Sequence, residues 1–384
     1  MQVNDSRLLI IVNDPGFFVS HRLPIAIAAQ RMGYSVHVAT ADGKAVETIR
    51  KYGLVHHAID INRSGKNPLV EIRTLHSLWK LTVKVRPDIL HLVTIKPVIY
   101  GGVIARFTRV PSVVVAISGL GTIFTAQGIL NSLLRALVRA LYRIVLGHKN
   151  MHAIFQNPND RDVLLGLNVL DGTRTSLVSG SGVDLEKYHH LPEPEGDPII
   201  VFAARLLISK GVLDFIEAVR ILKARRNDFR AWLVGMPDKE NPDTISDQDL
   251  EAWQSEQIIE YLGFRDDMPE LLAMTSIVTL PSYYGEGLPK ILIEAAACGR
   301  PVVTTDHPGC RDAILPDKTG LLVPIKDSKM LADALERLLV DKSLRKSMGG
   351  AARRLAEERF GVESVVEKHL EIYQFLLEST RVDG

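Results

Sequence analysis

The sequence predicts an α/β protein with two Rossmann-like, doubly wound domains. Short apolar segments rich in Val, Ile and Leu alternate with segments of helical period, and a polar, proline-rich stretch at 186–198 divides this alternation into two series. Apolar strands that alternate with helices indicate parallel βαβ units, in which helices cover both faces of the sheet. A chain of 384 residues has room for two such domains.

The elements follow in order along the chain. The first series predicts strands at 8–12, 35–40, 89–92 and 112–117, a loop at 13–16 and a helix at 24–32. The second series predicts strands at 199–203, 231–234, 258–262, 277–280 and 301–305, with helices that begin near 213 and cover 291–298. We expect an N-terminal domain over 1–186, a C-terminal domain over 187–363, and a helix over 364–384 that packs back on the N-terminal domain.

The carboxyl ends of the strands are the expected place for function. In open parallel sheets, ligands bind in the loops beyond those ends. Two such sheets that face each other would form an interdomain cleft. The stretch 186–198 is too polar and too rich in proline for a core element, so it is interpreted as a surface linker.

Composition excludes several classes of protein. Hydrophobic residues make up 46% and charged residues 24%, which is typical of a globular protein. Two cysteines, Cys298 and Cys310, cannot form a disulfide framework or a multi-cysteine zinc cluster. The first residues lack a signal-peptide pattern, and no uncharged apolar run approaches the ~18 residues of a membrane span. We therefore expect a cytoplasmic protein.

The net charge of +1 conceals an asymmetry between the halves of the chain. Residues 1–190 contain 22 Lys and Arg against 12 Asp and Glu, whereas the remainder contains 24 against 33. A basic first half suggests an anionic partner, such as a membrane surface. The alternative is an uneven, solvated surface charge. Nucleic acid is disfavoured as a partner, because the basic residues form no aromatic-interleaved patch and match no known module.

Several common enzyme signatures are absent from the sequence. No G-x-G-x-x-G follows the first strand, and no G-x-x-x-x-G-K-[ST] occurs. H-E-x-x-H and G-x-S-x-G are also missing. The commonest dinucleotide, P-loop, zinc-hydrolase and serine-hydrolase classes are therefore not indicated.

Two loops of the second half carry the residues expected of a diphosphate site. Arg205 and Lys210 lie between a predicted strand and a helix, where two cations and helix N–H groups suit a diphosphate. Alone, this pair is also typical of solvated surface charge. After the strand at 277–280, Gly285 and Gly287 allow close backbone approach to a ligand. Glu294 lies in an otherwise apolar helix and needs a partner, either a ribose diol or a structural ion pair.

These motifs resemble a known enzyme family. Glu286 and Glu294 form E-x7-E within GEGLPKILIEAAACGRPV. This pattern closely resembles retaining nucleotide-sugar glycosyltransferases of family 4, whose two facing Rossmann-like domains form the GT-B fold. Arg205 and Lys210 fall where that family places its diphosphate-binding cations. The resemblance covers most of residues 178–325.

The resemblance implies sugar transfer from a UDP-sugar with retention at the anomeric carbon. It implies catalytic roles for Arg205, Lys210 and Glu286, with Glu286 at the donor sugar and Glu294 at the ribose. The donor-binding residues that it implies are Arg205, Lys210, Gly263, Phe264, Gly285, Glu286, Gly287, Leu288, Pro289, Lys290 and Glu294. No metal-binding acidic cluster accompanies them, so we expect no metal and no cofactor other than the UDP-sugar co-substrate.

The first half resembles the capsule and O-antigen branch, which adds N-acetylhexosamines to sugars linked to undecaprenyl diphosphate. The resemblance rests on NDPGFFVSHRLP at 13–24, HLVTIKPVIYG at 91–101 and SGLG at 118–121. The sequence differs from many family members at Pro15-Gly16, where they have Gly-Gly, and at Ser118-Gly119, where they have His. The acceptor or cleft residues that it implies are Gly16, Phe17, His21, Lys96, Tyr100, Ser118 and Gly119.

Residues 129–146 form a basic amphipathic segment. Arg135, Arg139 and Arg143 recur every four residues and therefore share one stripe of a helix whose other faces are apolar. We interpret it as an interfacial helix on anionic lipid at the inner face of the plasma membrane. Phe17 and Phe18 are interpreted either as further apolar contacts with the membrane or as residues that line the acceptor site. The alternative is a packed helix with a solvated basic edge.

The sequence thus predicts a peripheral enzyme that transfers a sugar from a nucleotide sugar to a lipid-diphosphate-linked saccharide. Two alternatives of similar fold remain: a sugar-nucleotide epimerase, and a catalytically silent sugar-nucleotide-binding protein. The E-x7-E pattern disfavours the first, and the intact set of charged residues disfavours the second.

Overall fold

The computed structural model describes residues 6–61, 68–120 and 129–382, with side chains omitted at 68, 129–137 and 381–382. The chain divides into two compact units. The N-terminal unit comprises Met1–Ser181 and Glu363–Gly384, and the C-terminal unit comprises Gly182–Val362. The chain passes into the C-terminal unit five residues earlier than the expected boundary at 186, and its last helix belongs to the N-terminal unit.

The N-terminal unit alternates strands and helices. Its strands are β1 (Arg7–Ile11), β2 (Ser35–Thr40), β3 (Val55–Ala58), β4 (Ile89–Val93), β5 (Ser112–Ile117), β6 (Met151–Phe155) and β7 (Thr175–Leu177). Its helices are α1 (Pro15–His21), α2 (Leu23–Arg31), α3 (Val46–Lys51), α4 (Pro68–Val85), α5 (Ile95–Thr108), α6 (Ile129–Leu146) and α7 (Pro158–Gly166). Within the described residues these strands form one parallel sheet of order β3-β2-β1-β4-β5-β6-β7.

The C-terminal unit repeats this architecture. Its strands are β8 (Ile199–Ala203), β9 (Arg230–Val234), β10 (Glu260–Gly263), β11 (Ile277–Leu280), β12 (Val302–Thr305) and β13 (Gly320–Val323). Its helices are α8 (Val212–Arg225), α9 (Asp247–Ser255), α10 (Met268–Met274), α11 (Lys290–Ala297), α12 (Ser328–Val340) and α13 (Lys342–Arg359), and α14 (Val362–Val382) follows. The sheet order is β10-β9-β8-β11-β12-β13, with every pair parallel. The predicted class, two α/β domains with parallel sheets, is confirmed.

Both faces of the N-terminal sheet are buried. Leu9 and Ile11 of β1 face a core with α4, α5 and α6, whereas Leu8 and Ile10 face a core with α1, α2 and α14. Alternate residues of a strand point to opposite faces, so a strand covered on both sides is apolar throughout. This is why β1 appears in the sequence as an unbroken apolar run.

Two local expectations are wrong. The predicted loop at 13–16 contains the start of α1, because Asp14 caps that helix by accepting from the Phe17 N–H at 2.6 Å and Pro15 favours the first helical position. The stretch 186–198 is mostly exposed, as expected, but it lies within the C-terminal unit and does not link the two units. Tyr188 is buried in the C-terminal core, and Glu193 forms a buried ion pair with Arg345 at 2.7 Å.

The amphipathic helix at 129–146 has the predicted bounds. Val138, Tyr142 and Val145 are buried on its inner side, while Arg139 and Arg143 are exposed. The side chain of Arg135 lies outside the described residues. No helix in the described part of the chain combines the length and hydropathy needed to cross a membrane.

Candidate functional site

The two motif-bearing loops of the C-terminal unit follow adjacent strands. β8 pairs with β11, and the order of strands reverses at this point of the sheet, where doubly wound proteins bind ligands. Gly211 lies in the left-handed region at φ 80°, and a Cβ there would lie 2.1 Å from the Pro281 carbonyl oxygen. The loops after β8 and β11 are therefore in direct backbone contact, which only glycine allows at this position.

Lys210 and Glu286 form an ion pair across these two loops. The Ser282 hydroxyl donates to the same carboxylate oxygen of Glu286 at 3.0 Å. The Lys210 ammonium also lies 5.3 Å from the centre of the Tyr284 ring, within cation–π range. The side chains of Lys210 and Glu286 are only 13% and 10% exposed, so this pair is a nearly buried part of the site.

Arg205 is paired with a carboxylate from a third loop. Its guanidinium donates to Asp238 at 2.7 Å, and the two side chains are 34% and 19% exposed. Asp238 follows β9, the other neighbour of β8 in the sheet. In the same loop, Asp243 accepts from the backbone N–H of Ser209 at 3.0 Å and from its hydroxyl. Arg205 and Lys210, the two predicted cations, therefore each form an ion pair with a carboxylate.

Glu294 is almost fully buried in α11 and has partners within the C-terminal unit. The Tyr188 hydroxyl donates to its Oε1 at 2.5 Å, and the Lys290 ammonium lies 3.4 Å from the same oxygen. Burial and the Glu294 charge raise the pKa of Tyr188, so its hydroxyl stays protonated and able to donate. The structural ion pair that the sequence left open is therefore present, and the ribose interpretation of Glu294 stays a prediction.

The remaining predicted donor residues lie along the same edge of the sheet. Pro289 directly precedes α11, so the positive end of the helix dipole lies beside this loop. No acidic residue in the first turn of the helix offsets it. Leu288 is buried, and Gly285 and Gly287 belong to the same loop. Gly263 ends β10 at φ 64°, its carbonyl accepts from the Gly235 N–H at 2.8 Å, and the next residue, Phe264, is exposed.

In the N-terminal unit, several candidates lie after β1 and β5. Phe17 and His21 stack with ring centres 4.0 Å apart in α1, whose first turn contains the exposed Gly16. Phe18 is fully buried, so the expectation that it adds an apolar membrane contact is wrong. Ser118, which precedes Gly119 at φ 109°, accepts from Arg22 at 3.4 Å.

Arg22 is fully buried between the loops after β1 and β5. Its guanidinium donates to the His21 carbonyl at 3.0 Å as well as to Ser118, and burial lowers the pKa of Arg22 to about 10. A group with this pKa remains charged at neutral pH. Arg22 therefore places a buried positive charge beside the two segments that the motifs marked for the acceptor.

Lys96 and Tyr100 both contact a residue that no motif marked. The Lys96 ammonium and the Tyr100 hydroxyl each lie 2.7 Å from an oxygen of Glu71, which belongs to α4. Burial alone would raise the pKa of Glu71, but the hydrogen bonds from Lys96 and Tyr100 lower it. Burial, together with Glu71, raises the pKa of Tyr100. Glu71, Lys96 and Tyr100 therefore form one cluster, in which α4 contributes the carboxylate and α5 contributes the ammonium and the hydroxyl.

Neither an activated thiol nor a cluster of metal-ligating side chains adds to this site within the described residues. Burial raises the pKa of both Cys298 and Cys310 to about 12, so neither thiol is activated as a nucleophile. Within the described ranges, no group of three or more His, Cys, Asp or Glu could hold a metal ion. Oxygen acceptors and fixed cations dominate the site.

Sequence reasoning missed Asp238, Tyr188 and Glu71, which are partners of predicted residues, and Asp243, which contacts Ser209 beside them. Asp238 and Asp243 could have been found, because their loop follows β9 and the doubly wound order puts that strand beside β8. Tyr188 and Glu71 had no such signal. Tyr188 precedes β8 in a stretch interpreted as a linker, and Glu71 lies on a helix whose orientation only the packing determines.

Comparison with known proteins identifies both halves of the chain. Residues 7–151 match the model "Glycosyl transferase 4-like", and residues 186–355 match "Glycosyl transferases group 1". A relative from Campylobacter jejuni, N,N'-diacetylbacillosaminyl-diphospho-undecaprenol alpha-1,3-N-acetylgalactosaminyltransferase, is 28% identical over 372 residues, with 93% of this chain and 96% of the relative covered.

Solved structures show the same fold. A glycosyltransferase from Rickettsia africae ESF-5 superposes with a TM-score of 0.78 at 21% identity, covering 97% of this chain and 99% of the other. Anabaena Alr3699/HepE in complex with UDP superposes with a TM-score of 0.74 at 17% identity, covering 96% and 99%.

Proposed function

The chain belongs to the glycosyltransferases that combine a 4-like domain with a group 1 domain, and we propose that it transfers an N-acetylhexosamine from a UDP-sugar to a saccharide linked to a polyprenyl diphosphate, with retention of the anomeric configuration. This reaction would extend a lipid-linked intermediate of a surface polysaccharide or glycan.

One observation carries the donor half of the proposal. Arg205 and Lys210 follow β8 and Glu286 follows β11, so two cations and a carboxylate lie where the strand order reverses. A nucleoside diphosphate needs cations for its phosphates, and a sugar needs acceptors for its hydroxyls. The arrangement supplies both within one unit.

The chemistry assigned to these residues is the stabilisation of a leaving group. The bond between the anomeric carbon and the diphosphate oxygen breaks, and a bond to the acceptor hydroxyl oxygen forms on the same face of the sugar. Negative charge grows on the departing diphosphate, where Arg205, Lys210 and the N-terminus of α11 would stabilise it without a metal ion. The acceptor proton passes to the leaving phosphate. Glu286 would hold sugar hydroxyls, and Glu294 the ribose.

The details of donor and acceptor are supported by the relatives. The Campylobacter jejuni relative is named as an alpha-1,3 transferase acting on a diphospho-undecaprenol saccharide, and common UDP-hexosamines carry the sugar in the α configuration. An α product from an α donor is retention. The Anabaena neighbour was crystallised with UDP, which favours uridine here, with the base near Gly263 and Phe264.

A lipid-linked acceptor stays in the bilayer, so the enzyme must reach the membrane surface. We assign this contact to the cytoplasmic face of the membrane and to α6, whose exposed Arg139 and Arg143 share a stripe with Arg135 in the sequence. Each cation near an anionic surface contributes about 1 kcal/mol of binding. The Arg139 guanidinium also donates to the Leu167 carbonyl at 2.9 Å, so the side chain of Arg139 is partly held against the end of α7.

The decisive experiment is a donor panel with defined lipid-diphosphate saccharides. UDP-N-acetylhexosamines should give a product larger by one N-acetylhexosamine, with an α linkage by NMR, and a chelator should leave the rate unchanged. GDP- or TDP-sugars serve as competing donors. Transfer from another nucleotide, or a β product, would overturn the donor or the stereochemical part. Epimerised sugar nucleotide without transfer would favour the epimerase alternative.

Vesicle sedimentation tests the membrane contact separately. The protein should sediment with anionic but not zwitterionic vesicles, and less so as salt rises, because the attraction is screened. Replacing Arg135, Arg139 and Arg143 by Glu should abolish sedimentation and activity on lipid acceptors but spare activity on a short soluble acceptor. Normal sedimentation of this variant would show that α6 is a packed helix with a solvated basic edge and not a membrane contact.

A further inference from the structure

The loop between β9 and α9, residues 235–246, is held closely against the predicted diphosphate-binding segment. The Leu206 N–H donates to the Met236 carbonyl at 3.0 Å, and the Ile245 N–H donates to the Leu206 carbonyl at 3.1 Å. The Ile208 N–H donates to the Asp243 carbonyl at 2.8 Å. These backbone bonds hold the loop in register with residues 204–209.

This loop places the carboxylate of Asp238 beside Arg205, the cation that we assign to the donor diphosphate. The Asp238 carboxylate binds Arg205 at 2.7 Å, while the Asp238 backbone N–H donates to the Thr244 hydroxyl at 2.9 Å. The main chain of Asp238 is therefore fixed, and its side chain reaches Arg205 through rotatable bonds. A carboxylate in this position occupies one N–H donor of Arg205 and offsets part of the positive charge that a diphosphate oxygen would meet.

The two ion pairs of the site differ in their access to water. Arg205 and Asp238 are 34% and 19% exposed, whereas Lys210 and Glu286 are 13% and 10% exposed, and Glu286 also accepts from Ser282. Water competes more strongly for a partly exposed pair, so that pair separates at lower cost. The pair between Arg205 and Asp238 is the one that a ligand can exchange.

We propose that Asp238 is a resident counter-anion of the donor site, which the diphosphate displaces from Arg205, and that it thereby lowers the affinity for both donor and UDP product. A diphosphate carries more charge and more acceptor oxygens than one carboxylate, so it wins the exchange. The free energy of the broken pair is subtracted from the binding energy. This inference rests on the proposed donor site and adds an affinity-setting residue to it.

A positioning role for Asp238 predicts the opposite result. If Asp238 only holds Arg205 in a conformation that binds phosphate, its removal frees the guanidinium and weakens binding. The sign of the change in affinity therefore separates the two roles.

The test is calorimetry on the whole protein with UDP, uridine and inorganic pyrophosphate. Asp238→Asn keeps the size of the side chain, and Asp238→Ala removes its polar atoms. Both should lower the Kd for UDP and pyrophosphate by about 2- to 5-fold, the range expected for loss of a partly exposed ion pair, and leave the Kd for uridine unchanged. Melting temperatures confirm that each variant is folded.

Asp247→Asn is the matched control. Asp247 begins α9 just after the loop and pairs with the exposed Lys239 at 3.4 Å, so its loss changes the net charge equally without touching Arg205. It should leave all three Kd values unchanged. An equal tightening by Asp247→Asn would reduce the effect to general electrostatics and overturn the proposal, as would an unchanged or higher Kd in the Asp238 variants.

Pyrophosphate keeps the two proposals distinguishable. If the wild-type protein binds pyrophosphate but not UDP, the UDP proposal fails while the Asp238 variants still decide the inference. If it binds neither, no diphosphate site exists and both proposals fail.

Discussion

The two sheets share the same order over six strands, and the N-terminal sheet has a seventh, but their carboxyl edges acquire their charged clusters differently. In the C-terminal unit, the motif residues pair with each other or with the adjacent loop, as in Lys210 with Glu286 and Arg205 with Asp238. In the N-terminal unit, Lys96 pairs with Glu71 of a helix that precedes its strand. The motifs therefore marked both members of the Lys210–Glu286 pair at the C-terminal edge, but only one member of the Lys96–Glu71 pair at the N-terminal edge.

The difference teaches where sequence motifs are informative. Loops after adjacent strands of a doubly wound sheet meet by topology, so residues in them meet whatever the side-chain packing. A helix face meets a loop only through the packing of the helix on the sheet. The following predictions test whether the two edges also differ in function.

The largest effect is expected from the cations of the C-terminal edge. Arg205→Ala and Lys210→Ala should each lower the turnover number by about 100-fold or more, because each cation would meet charge that develops in the transition state. Steady-state kinetics with a working donor provide the measurement. Arg225→Ala, which removes an exposed cation of α8, serves as the control. Near-normal turnover in both site variants would remove the diphosphate assignment.

The two glutamates of the E-x7-E pattern should separate binding from transfer. Glu294→Gln should weaken UDP binding by about 1–3 kcal/mol through loss of charge-assisted hydrogen bonds, whereas Glu286→Gln should spare UDP binding and impair transfer. Tyr188→Phe removes the Glu294 partner and should weaken UDP binding less than Glu294→Gln. Calorimetry with UDP makes the comparison, and the reverse pattern would exchange the two roles.

The N-terminal cluster should affect the acceptor alone. Lys96→Ala leaves the Glu71 carboxylate without its cation. We expect the KM for the lipid-linked acceptor to rise about 10-fold, which corresponds to ~1.4 kcal/mol of binding free energy. UDP affinity should not change, because the donor residues lie in the other unit. Lys80→Ala, at an exposed position of α4, is the matched control. A loss of UDP affinity in Lys96→Ala would assign this cluster to the donor.

The smallest effect is expected on the pH dependence of stability, through the buried histidines of the N-terminal core. Burial and the nearby Arg22 charge lower the pKa of His369 to about 3, and burial lowers that of His91 well below 6.5. The unfolded chain binds these protons below pH 6.5 and the folded protein does not, so stability is complete above pH 6.5 and decreases as the pH falls towards 3.

Urea unfolding should show a loss of about 1 kcal/mol per buried histidine for each pH unit below 6.5. His369→Gln should reduce this slope, whereas His76→Gln, at an exposed position of α4, should leave it unchanged. An unaltered slope in His369→Gln would show that this histidine does not carry the acid sensitivity. The buried polar contacts include a 2.6 Å hydrogen bond between His91 and Tyr373 of α14.

Strand positions were the part of the fold that the sequence predicted best. The bounds of β2, β5, β8 and β11 agree with the predicted strands. For β8 and β11 the reason is burial on both faces, which leaves an unbroken apolar run. Four strands were missed: β3, β6, β7 and β13. β3 and β7 lie at the sheet edges and contain half-exposed residues, so their sequences show no such run. β13 is also an edge strand, and the buried β6 is interrupted by a histidine in the sequence MHAIF. The start of α1 was missed because Pro15-Gly16 is as typical of a turn as of a first helical turn.

By itself, the sequence determined the fold class, the glycosyltransferase family and the loops in which the proposed donor residues lie. Each of these follows from local patterns, namely strand periodicity, loop composition and the spacing of charged residues along the chain. The tertiary structure alone decided two of the partners, Tyr188 for Glu294 and Glu71 for Lys96, whereas Asp238 lies beside Arg205 as the doubly wound strand order also implies. Such pairs join residues that are 25 to 106 positions apart. Their contact depends on how strands order and helices pack, which no local pattern encodes.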